Sequence, residues 1–182
     1  FSDIDLLLLI DRKASLQETE KTLKNLLYPL WDKGFTVGYS VRTVKQALGD
    51  TRDDFFFRTA LLDARYLCGR KDLFDDLAGS CAKDGYIRDT RTFIRYLEDH
   101  IVKRHERYGD ASYNLEPDIK EGTGSLRDYH CLLWILKAAS LNPKAGFVAS
   151  YLSDRDGQEL EDAADNLLRI RYLLHGLTGR KT

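Results

Sequence analysis

The sequence predicts an α+β fold in which a short α/β part, residues 1–80, is followed by a helical part, residues 81–182. Three observations predict this division. The run Ile4 to Ile10 is continuously apolar, as in a strand covered on both faces, and a second strand-like segment follows at residues 35–44. A helical pattern separates the two, an order that indicates an α/β unit with neighbouring strands. Beyond residue 53, apolar residues recur mainly at helical spacing.

The helix between the two strands has a start signal and an end signal. Ser15 and Glu18 have the spacing of a capping box, in which two side chains bond reciprocally to backbone N–H groups. Leucines follow at helical spacing, and Pro29 predicts that the helix ends near it or just after it. In the second segment, Val37, Tyr39 and Val41 alternate with Ser40 and Arg42, a pattern that is typical of a strand.

Several periodic segments beyond residue 53 predict helices. They lie near residues 57–65, 90–108, 126–139 and 158–174, with an irregular stretch at 109–124. His100 and His105 lie among charged residues, so we expect them to face solvent. His130 and His175 are expected to pack within helices. No ordering of serine, histidine and aspartate indicates nucleophilic catalysis.

Composition and charge narrow the class of protein. The 28 basic and 29 acidic residues leave a net charge of −1, whereas a nucleic-acid surface normally shows a basic excess, so we expect no nucleic-acid partner. The longest apolar run is strand-sized, so no membrane association is expected. Three widely spaced cysteines fit neither a disulfide framework nor a zinc site and predict a cytoplasmic location. The opening on Phe1, without Met, predicts that these residues belong to a longer protein.

Two carboxylates at the start of the first strand are the sharpest chemical signal. Asp3 and Asp5 are separated by one residue, so on a strand they point to the same face, roughly 6.5–7 Å apart. Carboxylates so placed can hold Mg²⁺, which prefers hard oxygen ligands and completes its shell with waters and substrate phosphates. Such ions stabilise the attacking and leaving oxygens of a phosphoryl displacement. The alternative is that both side chains solvate the end of a strand.

Basic residues in two further segments are candidates for binding phosphate. Arg42, on the second strand, can bind phosphate oxygens through two parallel hydrogen bonds, or it is an ordinary solvated arginine. Lys120 and Arg127 flank a glycine-containing loop that opens a helix, where free N–H groups favour an anion. The loop is not a Walker A motif, and a plain helix entry is the alternative.

Taken in order along the chain, these segments resemble the PII uridylyltransferases, enzymes that both attach and remove uridylyl groups. The matching segments are Ser2-Asp3-Ile4-Asp5-Leu6-Leu7, Leu30-Trp31-Asp32, Val37-Gly38-Tyr39-Ser40-Val41-Arg42-Thr43, Leu61 to Gly69, Lys103 to Tyr108, Asn114 to Gly122 and Leu126-Arg127-Asp128. The acidic pair alone is shared with a wider superfamily that includes DNA polymerase beta. The ordered series is more specific and spans essentially the whole chain.

The resemblance implies a partial nucleotidyltransferase fold, with a DNA polymerase beta-like mixed sheet followed by a helical domain. It implies transfer of UMP from UTP to a tyrosine of the PII protein, with release of pyrophosphate. It implies that Asp3 and Asp5 are catalytic Mg²⁺ ligands. The residues it implies for contacts to the nucleotide or its phosphates are Ser2, Arg42, Lys120 and Arg127.

Three departures from the family pattern bear on activity. The family's Gly-Gly turn would lie before Phe1, so we expect little or no transfer by these 182 residues alone. The superfamily's third carboxylate is absent from the second strand, and Asp54 or Asp63 could replace it. The family's paired glycine appears as Gly124-Ser125.

Two other functions remain open from the sequence. The first is a nucleotidyltransferase that modifies another protein or a small hydroxylated molecule, because the acidic pair does not identify the acceptor. The second is a nucleotide-binding or regulatory module without catalysis, which the missing third carboxylate and Ser125 would explain.

Overall fold

The structure is a computed structural model that describes residues 4–86, 90–108, 118–141 and 152–179. Ser2 and Asp3, two of the predicted site residues, lie outside the described residues. The chain divides into two compact units, Ser2–Gly85 and Tyr86–Thr182.

The first unit is built on a strand–helix–strand segment. The strands are β1 (Ile4–Ile10) and β2 (Val37–Thr43), and the helix between them is α1 (Leu16–Asp32). Three helices and a short π-helical turn follow: α2 (Val44–Asp53), α3 (Phe55–Leu62), α4 (Lys71–Ser80) and the turn Cys81–Tyr86. The sequence did not predict α2 or α4 as separate helices.

The two strands pair in parallel, with Ile4 opposite Val37 and Ile10 opposite Thr43. This confirms the predicted α/β unit with neighbouring strands, and with the many helices it confirms the α+β class. The sheet of the described residues contains these two strands only. The mixed sheet of a DNA polymerase beta-like fold therefore stays a prediction.

The predicted capping box at the start of α1 is wrong. Ser15 is the N-cap residue, but its side chain makes no capping hydrogen bond, and Thr19 instead donates its hydroxyl to the Ser15 carbonyl at 2.8 Å. A capping box does form at the start of α2, where Thr43 accepts from the Gln46 backbone and Gln46 accepts from the Thr43 backbone. The box ends β2 at Thr43, because the residues after the cap take up helical geometry.

Helix α1 continues past Pro29 and ends at Asp32. Proline inside a helix removes a single backbone hydrogen bond and crowds the preceding turn. The apolar face of the helix continues on both sides of Pro29, with Leu27 buried and Leu30 half-buried. Packing of this face offsets the local cost, so the helix gains one further turn.

The second unit contains α5 (Thr90–Tyr108), α6 (Leu126–Leu141) and α7 (Asp154–Thr178). Helix α6 packs on both α5 and α7. The fully buried side chains of the second unit include Phe93, Leu97, Leu126 and Cys131. Within the described part of the chain, no helix is long and apolar enough to cross a membrane.

Candidate functional site

Asp5 is the second paired residue of β1, and its side chain is exposed. It makes no hydrogen bond or ion pair with any residue that the structure describes. An ionised carboxylate offers acceptor oxygens only, so a carboxylate without a protein donor is available for a cation or for water. Asp5 therefore has the chemistry expected of a ligand for Mg²⁺.

The strand register places Gly38 directly opposite Asp5. A Cβ atom added at Gly38 would lie 2.6 Å from the Oδ1 atom of Asp5. The carboxylate thus occupies the space that any side chain at position 38 would need. Asp3 lies outside the described residues.

A third acidic ligand is not identified among the two predicted candidates. Asp54 caps α3, and its carboxylate accepts a hydrogen bond from the Phe57 backbone at 3.0 Å. Asp63 is the residue that ends the same helix. Among the described residues, which exclude Asp3, no three histidine, cysteine, aspartate or glutamate side chains converge on one point.

Arg42 lies on the same face of the sheet as Asp5, opposite Leu9. Four residues of strand separate the two positions, which corresponds to roughly 13 Å. The guanidinium of Arg42 donates to Asp50 at 2.7 Å and to the Val41 carbonyl at 3.0 Å. The structure does not bring Arg42 next to Asp5, and its predicted phosphate contact stays a prediction.

A cavity of about 750 Å³ opens at the other end of the two strands. Its wall includes Asp11, Lys13, Lys45 and Asp76, from the strand ends, α2 and α4. The end of β1 lies roughly 16 Å along the strand from Asp5 at the usual rise per residue. The cavity is therefore separate from the Asp5 carboxylate, for which the resemblance implies a catalytic role.

The second unit contains a group of polar side chains, the Asp128 cluster, in which Arg104 and His105 of α5 contact Asp128 of α6. The Arg104 side chain is 4% exposed. It donates to the carbonyl oxygens of Glu121 at 2.5 Å and Gly122 at 3.1 Å, and also to Asp128. The Nε2 atom of His105 lies 3.0 Å from both carboxylate oxygens of Asp128. These contacts join α5 to the start of α6.

The environment of Asp128 favours its ionised form. Burial acts to raise the pKa of this carboxyl, but hydrogen bonds from the Gly124 backbone, Arg104 and His105 outweigh burial and hold the pKa below its usual value. The Gly124 backbone N–H donates at 2.7 Å. Asp128 also lies in the first turn of α6, where the helix dipole favours a negative charge.

Lys120 and Arg127, predicted to contact phosphate, both approach Glu121. Arg127 donates to the Glu121 carboxylate at 3.0 Å, and the Lys120 ammonium lies 3.7 Å from it. Burial acts to raise the pKa of Glu121, but Arg127 and Lys120 lower it overall. Both cations thus have an acidic partner in the second unit, and their role toward a nucleotide stays a prediction.

The prediction that His100 and His105 face solvent is wrong, because both side chains are half-buried. Burial lowers the pKa of His100, and His105 contacts Asp128. The sequence lacked a signal for the His105 contact because its partner lies 23 residues away. His175 is buried and His130 stacks on Trp134, as predicted.

The close approach of Gly38 to Asp5 was not predicted from the sequence. The one available signal was a glycine in an alternating strand pattern, which often marks a close approach of another group. The approaching group could not be identified before the register of β1 and β2 was known.

Comparison with known proteins finds one protein family and a set of curated relatives. The family model described as GlnD PII-uridylyltransferase matches residues 91–182. A bifunctional uridylyltransferase/uridylyl-removing enzyme of Vibrio vulnificus (strain YJ016) is 38% identical over 178 residues, 96% of this chain and 20% of its own length. Enzymes with the same name from Nitrosococcus oceani and Cereibacter sphaeroides are 36% and 39% identical, over the whole of this chain and 20% of theirs.

No solved structure matches the chain. The chain spans about a fifth of the length of the curated relatives that it matches. The family model covers half of the 182 residues, and the relatives align over nearly all of them. The resemblance predicted from the ordered motifs is confirmed: the chain belongs to the GlnD PII-uridylyltransferase family.

Proposed function

We propose that this chain is the part of a uridylyltransferase that transfers UMP from UTP to a tyrosine hydroxyl of the PII protein, with Asp3 and Asp5 as Mg²⁺ ligands. The observation that carries the proposal is the exposed Asp5 carboxylate, which has no protein partner among the described residues. Membership in a family of uridylyltransferases supports the type of reaction.

In the proposed reaction, the tyrosine oxygen attacks the α-phosphorus of UTP and forms a new P–O bond. The bond between the α-phosphorus and the bridging oxygen breaks, and pyrophosphate leaves, while the tyrosine loses its proton. A Mg²⁺ ion would neutralise charge on the phosphate oxygens when bound. The part of Asp5 is to hold that ion, because its oxygens are hard ligands that no protein donor occupies.

Ser2, Arg42, Lys120 and Arg127 are proposed to contact the nucleotide. Three of these side chains already have acidic neighbours: Arg42 pairs with Asp50, and Lys120 and Arg127 approach Glu121. A bound phosphate would have to share or replace these pairs. The Arg42–Asp50 pair is partly exposed, with side-chain exposures of 37% and 42%, and such a pair is worth about 1 kcal/mol or less, so exchanging it for a phosphate costs little.

The test is a transfer assay on the full-length protein with Mg²⁺, labelled UTP and purified PII. Wild type is expected to label PII, and the double variant Asp3→Asn/Asp5→Asn is expected to lose labelling, because an amide is a weak Mg²⁺ ligand. Asp11→Asn is the matched control at the opposite end of β1, where the carboxylate pairs with Arg70 instead. The control is expected to label PII at the wild-type rate.

The same assay separates the alternative functions. Labelling of another protein in a cell extract, without labelling of PII, would indicate a nucleotidyltransferase with another acceptor. Nucleotide binding that survives Asp5→Asn, without turnover, would indicate a binding module. Labelled ATP, run in parallel, tests the choice of base. Equal labelling by wild type and the double variant would contradict the proposed ligands.

A further inference from the structure

Gly38 occupies a position in β2 where the backbone does not require glycine. Among the described residues, the glycines with a positive φ are at positions 34, 69, 124 and 179, and Gly38 is not one of them. Gly38 is the second residue of β2, and glycine within a strand is unfavourable, because it loses more backbone freedom on folding than other residues. Gly38 must therefore be explained by the space around it.

The atoms that would meet a side chain at position 38 belong mainly to Asp5. An added Cβ would lie 2.6 Å from Oδ1 and 3.8 Å from Cγ of Asp5, whereas the next atom, the Ile4 carbonyl oxygen, is at an ordinary 3.9 Å. Real Cβ atoms essentially never approach another atom to 2.6 Å. The obstacle to a side chain at this position is thus the Asp5 carboxylate and not the packing of the sheet.

We propose that Gly38 is a positioning residue, whose missing side chain lets the Asp5 carboxylate lie across the neighbouring strand in the orientation that binds the metal ion. This inference rests on the proposed function, because it assigns the orientation of one of the proposed ligands. A methyl group at position 38 would turn the carboxylate away and change the direction of its lone pairs. Metal ligands need orientation as well as proximity, and supporting residues typically contribute 10–100-fold in affinity.

The effect of a methyl group at position 38 on metal binding can be measured separately from its effect on folding. Asp5 is exposed and has no protein partner among the described residues, so its carboxylate can rotate without breaking a contact. Alanine is also a better strand residue than glycine. Gly38→Ala is therefore expected to fold as wild type while binding the metal ion more weakly.

The experiment measures Mn²⁺ binding to the full-length protein by electron paramagnetic resonance, with Mn²⁺ as the spectroscopic substitute for Mg²⁺. Four proteins are compared: wild type, Gly38→Ala, Asp5→Asn and Gly49→Ala. Gly49 is the matched control, since an added Cβ there meets nothing within 4 Å. We expect Gly38→Ala to weaken Mn²⁺ binding about tenfold or more, Asp5→Asn to remove the site, and Gly49→Ala to bind as wild type.

Circular dichroism of each variant checks the fold. The same substitution made in an Asp5→Ala protein tests whether the Asp5 carboxylate is the obstacle at position 38. In an Asp5→Ala protein the obstructing carboxylate is absent, so Gly38→Ala is expected to leave the melting temperature of that protein unlowered. A drop in melting temperature in the Asp5→Ala background would overturn the inference, because Gly38 would then be required by the sheet itself.

The outcomes distinguish this inference from the proposed function. If Asp5→Asn removes Mn²⁺ binding but Gly38→Ala binds as wild type, the positioning role is wrong and the proposed metal ligands stand. If Asp5→Asn binds Mn²⁺ as tightly as wild type, the proposed function fails at its metal site, and the positioning role is overturned with it.

Discussion

Two aspartates in this chain have opposite surroundings. Asp5, at the start of β1, is exposed and has no hydrogen-bond partner among the described residues. Asp128, in the first turn of α6, receives hydrogen bonds from the Gly124 backbone and Arg104 and contacts His105. A carboxylate whose acceptor sites are filled by the protein stabilises the fold, whereas one with unfilled sites can bind a ligand.

Gly38 and Gly122 also differ in their surroundings, as Asp5 and Asp128 do. Gly38 makes room for the carboxylate of Asp5, whereas Gly122 makes room for the Asp118 backbone, because an added Cβ there would lie 2.7 Å from the Asp118 carbonyl oxygen. An exposed carboxylate can rotate away, but a backbone atom in a hydrogen-bonded loop cannot. The Gly122 backbone also donates to that same carbonyl at 2.9 Å. Substitution should therefore affect ligand binding at the first position and folding at the second.

The largest loss of stability is expected for Arg104→Met. The change removes the Arg104 donor from the Asp128 carboxylate and from two carbonyl oxygens of the loop, and removing one partner of a buried ion pair typically costs about 3–5 kcal/mol. Hydrogen exchange of peptides from α5 and α6, in the full-length protein, measures the loss. Arg95→Met, on an exposed position of the same helix, is the control and should stay within about 0.5 kcal/mol. Equal protection in the two variants would show that the Asp128 cluster is not stabilising.

Asp128→Asn is expected to cost about 2 kcal/mol at neutral pH, because it weakens hydrogen bonds to a charged group. The pKa of Asp128 is lowered in the folded protein, so its contribution is fully present above the ordinary value of 3.8 and is lost as pH falls through the lower, folded value. The difference in unfolding free energy between wild type and Asp128→Asn should then be constant from neutral pH to about pH 4 and shrink below it. Urea unfolding at a series of pH values measures this, and a difference that persists undiminished in acid would contradict it.

Gly122→Ala is expected to destabilise the second unit by about 1–3 kcal/mol, because the added methyl group overlaps a backbone oxygen. The control is Gly176→Ala in α7, where an added Cβ meets nothing within 4 Å and alanine should stabilise the helix by about 0.5–1 kcal/mol. In thermal unfolding, we expect the melting temperature to fall for Gly122→Ala and to rise for Gly176→Ala, if the loop is as tightly closed as the structure shows. A Gly122→Ala protein as stable as wild type would indicate that the loop backbone shifts to accommodate the methyl group at little cost.

The smallest change in stability is expected for Asp5→Asn, within about 0.5 kcal/mol, since an exposed side chain without partners contributes little to the fold. Urea unfolding measures this value, and the transfer assay measures the loss of activity in the same protein. A large loss of stability would show that Asp5, like Asp128, stabilises the fold, and would contradict the difference proposed between the two carboxylates.

Much of the fold could be predicted because it depends on local patterns. The apolar run of β1, the alternation of β2 and the helical spacing of leucines are properties of neighbouring residues. They gave both strands, α1 and the long helices of the second unit. Among the short helices of the first unit, α3 was predicted, whereas α2 and α4, of ten residues each, were not. The capping box was predicted at Ser15, but the structure has capping boxes at Thr43 and Ser153, because several residues fit this short motif.

The sequence by itself determined the α+β class, the order of the two strands and the long helices, the family and the candidate carboxylates, because each depends on residue type and spacing along the chain. Only the tertiary structure decided which carboxylate has a protein partner. Asp128 meets Arg104 across 24 residues, and Gly38 meets Asp5 through the register of two parallel strands. Such pairings are set by the packing of whole helices and strands, which bring together residues that have no relation in the local sequence.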